Sequence, residues 1–215
     1  MKDMVGGSRP AMQRRSQATR DRIVAALERL LRDRRFADIA VGELAEAAGV
    51  SPAAIYRRFA GGLPAVLFAL CETIIAQRAA SPAVRVALGA ETSLRAVMHQ
   101  IVGIAWEQLR AHAHVYRAAY LLARLQPELA DLQLTRAFEA QTRENLRLLI
   151  AAMPGEVKRA DTERAAAAVA HFLQTALLER ALFPDHAPHW RDEADFAAEI
   201  AEFAHGYLTT SGGTA

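Results

Sequence analysis

The stretch from Val41 to Phe59, VGELAEAAGVSPAAIYRRF, decides the fold. Val41, Leu44, Ala45 and Ala48 stand at i, i+3, i+4 and i+7, the spacing that stacks apolar side chains on one face of a helix. Gly49 follows at once, where a left-handed stop meets no Cβ clash. Val50 can tuck under the corner, Ser51 suits the cap of a second helix and Pro52 its first position. That helix carries Ile55 and Phe59, i and i+4, on a buried side, and its other side shows Ala53, Ala54, Tyr56, Arg57 and Arg58. Two short helices joined by a Gly-containing turn predict a helix-turn-helix, whose second helix can lie in the major groove of DNA.

The string GVSPAAIYRRF resembles the N-terminal motif of the tetracycline-repressor (TetR) family of bacterial transcription regulators. The resemblance runs over residues 17 to 70 and rests on a Gly-hydrophobic-Ser turn before a recognition helix. That helix ends in an aromatic pair separated by two residues, Tyr56 and Phe59. It implies an all-α chain with a three-helix DNA-binding domain over residues 17–62. A helical ligand-binding and dimerisation domain follows over 63–210, behind a flexible basic arm of residues 1–16. The DNA-contacting positions it implies are Ala40, Ser51, Pro52, Ala53, Ala54, Tyr56, Arg57 and Arg58. Ser51 and Tyr56 would hold phosphates, Arg57 and Arg58 a guanine edge or a phosphate, and the two alanines would allow close approach. The chain departs from the family pattern where Thr or Ser is usual (Ala40), His is usual (Arg58) and Lys is usual (Gly62). The absent Thr and Lys remove two phosphate contacts, of which Arg58 can restore one.

A chain of 215 residues with 52% hydrophobic and 23% charged residues is globular and long enough for a proper core. No strand-like alternation runs over any useful length, which predicts helices throughout. The net charge of +2 conceals an asymmetry. Residues 1–62 hold 12 Lys and Arg against 7 Asp and Glu, and the rest 14 against 17. A basic head on a mildly acidic body suits a nucleic-acid reader. Apolar runs such as Ala65 to Leu70 are too short to cross a bilayer, and the N-terminal charges are not followed by the apolar core of a secretory signal. The lone Cys71 fits a reducing, cytoplasmic setting and a plain core role.

Taken in order, residues 1–16 have a Gly pair, a Pro and no periodicity, which predicts a mobile arm. Its Arg9, Arg14 and Arg15 can enter a minor groove or touch phosphates. A first helix is expected over Gln17–Asp33, with Ile23, Leu27, Leu30 and Leu31 inward and Thr19 or Ser16 capping its start. Phe36 then packs it onto the helix-turn-helix. A fourth helix should open at Pro64 and reach Ala80. Five more are expected over Thr92–Ala111, His114–Arg124, Pro127–Met153, Asp161–Phe183 and Asp192–Leu208. The last two each carry two apolar faces, more than one chain needs to cover. They predict a homodimer through a four-helix bundle, with Phe172, Thr175, Leu178, Phe196, Ile200, Phe203 and Tyr207 at the interface; burial wholly within one chain is the plainer alternative.

Gln141 and Asn145 share an arc with Leu134, Phe138 and Leu148, and polar groups on an apolar face need partners. A small-molecule pocket would supply some, with Trp106, Tyr116, Tyr120 and His171 as further lining; a partly wet helix face and core aromatics are the plainer account. The pairs His112–His114 and His186–His189 lack the spacing and company of a metal site, so no metal and no cofactor are expected. Neither a Gly-rich phosphate loop nor a nucleophile elbow is present, so enzymatic activity is not expected. The sequence therefore reads as a ligand-responsive regulator, a repressor above all, bound as a homodimer to a palindromic operator and released by a largely apolar effector. The competing readings are an activator or a regulator that answers to another protein, and a helical apolar-ligand binder or degenerate enzyme that has lost DNA binding.

Overall fold

The computed structural model describes residues 8–79, 93–126, 133–184 and 192–211. Side chains are described at 13–77, 93–126, 139–184 and 192–211. Among these residues every regular element is helical: α1 (Ser8–Asp33), a 3-10 turn (Phe36–Asp38), α2 (Val41–Ala48), α3 (Pro52–Arg58), α4 (Leu63–Ala79) and α5 (Leu94–Ala111). They continue with α6 (Ala113–Leu125), α7 (Gln133–Ala152), α8 (Thr162–Leu182) and α9 (Glu193–Thr209). The expected all-α class is observed. The chain divides into two compact units, the first running to Ile74 and taking in the helix from His114, the second holding the remainder.

In the first unit, α1 buries Ile23, Ala26, Leu27 and Leu31 against Leu44, Ala45 and Ala48 of α2 and Ile55 of α3, which together form the centre of a small core. Leu30 is only half-buried, because the inward face of α1 rotates toward Ala26. After α1, Ile39 is 4% exposed and Phe36 half-buried. The first helix begins at Ser8, well before the expected Gln17. Pro10 does not prevent this, since a first-turn residue has no intrahelical use for its N–H. Thr19 accordingly sits inside the helix and donates to the Arg15 carbonyl at 2.9 Å instead of capping.

The second unit is held by α5, α7, α8 and α9, with contacts of α5 with α9, of α7 with α8, and of α8 with both α5 and α9. Helices α5 and α9 run antiparallel: Arg95 and His99 meet Glu202, Trp106 meets Phe196, and Arg110 meets Glu193. Side chains cap the helices as their sequences suggest, Ser93 for α5, Asp161 for α8 and Asp192 for α9. Glu156 adds a long-range cap, both carboxylate oxygens accepting the Leu94 N–H at 3.0 and 3.1 Å. Cys71 is buried in α4, and burial first, then the neighbouring Glu72 charge, pushes its thiol up to about 12, which leaves it an inert core group.

Candidate nucleic-acid interface

Helix α2 stops where the sequence says it should. Gly49 adopts φ 64° and ψ 44°, its N–H bonds the Glu46 carbonyl at 3.0 Å, and the Val50 N–H bonds that of Ala45 at 2.9 Å. This is a Schellman stop, which only a residue without a Cβ enters at no cost. Ser51 then takes the extended backbone of an N-cap and Pro52 the first helical position, but the Ser51 hydroxyl makes no cap bond and stays exposed. A helix of seven residues is too short to stand alone. It is held by Ile55, 0% exposed, and by Phe59, over whose ring the Arg20 guanidinium lies at 5.0 Å.

The outward side of α3 is Ala53, Tyr56 (55% exposed) and Arg57, with Ser51 and Pro52 at its start. Two residues expected there turn inward. Ala54 is 7% exposed, about 100° round the helix from the buried Ile55. Arg58 is half-buried and folds back to the Ala54 carbonyl at 3.5 Å, and its Nε is buried with no partner among the described residues. Arg57 is therefore the better exposed of the two arginines. Ala40 has the extended backbone of an N-cap and no side chain to cap with; only Glu43 reaches back, accepting the Ala40 N–H at 3.5 Å. Gly62 is left-handed at φ 63°, and a Cβ there would stand 3.3 Å from the Tyr56 ring. Local backbone thus accounts for the missing Lys.

One residue that the sequence did not single out orients the module. Arg34 donates to the Asp38 carbonyl at 2.7 Å and pairs with Glu43 at 2.5 Å, tying the end of α1 to the 3-10 turn and to the start of α2. Its position just after a helix, nine residues before an acid, carries no motif from which this could be read.

The expected effector residues are divided between the two units. Tyr116 and Tyr120 belong to the first unit, where Tyr120 accepts from Arg124 at 2.9 Å; Trp106, Gln141, Asn145 and His171 belong to the second. Gln141 is exposed and donates to Asn145 at 3.2 Å on the outer side of α7, next to Leu148, which is 47% exposed. The inward side of α7 is Leu146, Leu149 and Ile150, while Gln141 and Leu148 are exposed and Asn145 is half-buried in the single chain. His171 is exposed on α8 and is neither core nor pocket. Leu134 and Phe138 lie outside the described side chains. Trp106 is 3% exposed, edge-to-face with Phe196 at 5.1 Å, and its indole N–H has no hydrogen-bond partner among the described residues.

The expected dimer set divides too. Phe196 (1% exposed) and Ile200 (4%) are core residues of the second unit and are closed to a partner, because they meet α5. Phe172 (37%) and Phe203 (64%) remain open, their rings 6.0 Å apart, with Thr175 exposed and Leu178 and Tyr207 half-buried. Arg159 lies 3.9 Å over the Tyr207 ring and donates to its carbonyl at 2.7 Å. Among the described residues no three His, Cys, Asp or Glu side chains gather as a metal site, and His186 and His189 lie outside them. No single described helix is long and apolar enough to cross a membrane.

A short helix seated on a Schellman turn, with its aromatic and basic residues outward, is the helix-turn-helix arrangement. Residues 23–61 match the family model of the bacterial regulatory proteins of the tetR family. The fold is that of a putative TetR-family transcriptional regulator from Mesorhizobium loti MAFF303099 (TM-score 0.67, 16% identity, 90% of this chain and 96% of that one). It is equally that of a tetR-family regulatory protein from Rhodococcus RHA1 (TM-score 0.63, 20% identity, 90% and 98%). A third likeness is to FadR of Thermus thermophilus, a TetR-family repressor in complex with lauroyl-CoA (TM-score 0.62, 22% identity, 91% and 98%). No curated protein matches the chain in sequence. Residues 23–61 thus match the N-terminal module of that family, on a fold shared with solved TetR-family proteins.

Proposed function

We propose that the protein is a ligand-responsive repressor that binds a palindromic operator as a homodimer and is released by a small molecule held in its second unit. The observation that carries this reading is α3 itself, anchored by Ile55 and Phe59 with Tyr56 and Arg57 turned outward. In a dimer two such helices enter successive major grooves about 34–36 Å apart. Dimerisation is supported by the open Phe172–Phe203 face, since a monomer seldom leaves two neighbouring phenylalanines in water without a use. A pocket near Trp106 is supported by its buried, unpartnered N–H, which an acceptor atom of an otherwise apolar effector would satisfy. The lauroyl thioester part of the lauroyl-CoA held by FadR is of that chemical kind. Switching an operator-competent population from 99% to 1% takes about 5.5 kcal/mol of differential affinity.

Selection of duplexes from a random pool by the full chain, followed by gel shift over a salt series, tests the reading. A palindromic consensus bound two chains at a time is the expected result. Binding indifferent to sequence at every salt concentration overturns it and favours the apolar-ligand binder, for which Ala40 and the left-handed Gly62 already speak. A thermal-shift screen with acyl thioesters and other lipophilic compounds tests the effector, a rise in melting temperature being expected with Trp106 intact.

A further inference from the structure

Helix α1 extends well beyond the core it helps to build. The first buried residue among its described side chains is Ile23, and residues 13–18 are all exposed, so this part of the helix projects from the module without packing. It lies antiparallel to α2, with Arg34 on Glu43, Arg29 donating to the Ala47 carbonyl at 3.1 Å, and Arg22 Nη1 4.0 Å from where a Cβ would stand on Gly49. The projection therefore leaves the module past the turn, at the end where Ser51 starts α3. Arg15, Arg22 and Arg29 follow one another at seven-residue steps, about two turns each, and so share one face. Arg14, Arg15 and Arg22 have no acidic partner among the described residues, and the nearby Asp21 carboxylate is taken by the Gln17 amide at 2.8 Å.

We infer that this projection is a rigid phosphate clamp: Arg15 and Arg22 hold the DNA backbone beside the groove that α3 enters. They would supply contacts that Ala40 and Gly62 do not. The inference rests on the DNA-binding reading above. A folded helix suits phosphates better than the minor groove, because the groove is about 6 Å wide and a helix about 10 Å across. An unpacked, basic helical end gains its order chiefly from an anionic partner.

The test is a salt titration of the full chain on the duplex it selects and on a scrambled one, with Arg15→Ala, Arg22→Ala, the double variant and Arg22→Lys. Each Arg removed should flatten the slope of log affinity against log salt by about one. Between 50 and 200 mM salt each alanine variant then loses about 3.5-fold less affinity than the parent. Both duplexes should weaken by the same factor, and Arg22→Lys should restore the slope. A double variant with the parent slope, or a slope lost and not restored by Lys, overturns the clamp while leaving the regulator reading intact. A parent chain with no preferred duplex overturns both.

Discussion

At the scale of single residues, two glycines and one alanine decide how the recognition module is held. Gly49 sits at φ 64°, and Gly49→Ala should cost about 1–2 kcal/mol, read as a lower urea midpoint. Ala40→Thr should act in the other direction. It places a hydroxyl where the extended N-cap backbone already waits, and should raise stability by about 1 kcal/mol and tighten operator binding. A variant no more stable than the parent would show that Glu43 alone suffices at that end. Gly62→Lys is not the simple gain that the family pattern suggests. Its side chain would begin on a left-handed backbone 3.3 Å from the Tyr56 ring.

Between elements, the ion cluster of α5 and α9 makes the fold depend on pH. Glu202 is held down to about 2 from its ordinary 4.5, first by the Arg95 hydrogen bond and then by that of His99. A carboxyl whose folded value is depressed contributes stability that is fully present above its unfolded value and lost as pH falls through the folded one. Glu202→Gln should therefore melt lower than the parent near neutrality, and the gap should close between about pH 4.5 and pH 2. Parallel melting curves across that window would assign the acid response elsewhere. Helix α3 depends on a neighbour of another sort. Ile55→Ala should cost about 2–5 kcal/mol, because seven residues keep their helix chiefly through the burial of Ile55 and Phe59.

For the molecule as a whole, the open face of α8 and α9 is where a second copy would be gained or lost. Phe203→Asp should give monomers by sedimentation and abolish operator binding while the helical content is kept, since Phe203 is 64% exposed. The same change at Phe196 should unfold the second unit instead, as that ring is 1% exposed against Trp106. Dimers of Phe203→Asp with undiminished operator affinity would remove this face from the assembly.

Much of this was legible in the chain because the signals are local. The Gly49 stop, the Ser51–Pro52 start and the Ile55–Phe59 pair are each dictated by backbone sterics or by the pitch of one helix, so VGELAEAAGVSPAAIYRRF determined its own turn and both its helices. What periodicity lacks is the identity of the neighbour. It shows that Phe196 and Phe203 lie on apolar faces and that Gln141 and Asn145 share an arc, and it sets Ala54 and Arg58 on the side of α3 away from Ile55. Only packing decided that Phe196 is core and Phe203 open, that Gln141 is exposed and Asn145 half-buried on α7, and that Arg58 bends inward while Arg57 does not. Burial is a property of two surfaces in contact, and a helix read alone supplies one of them.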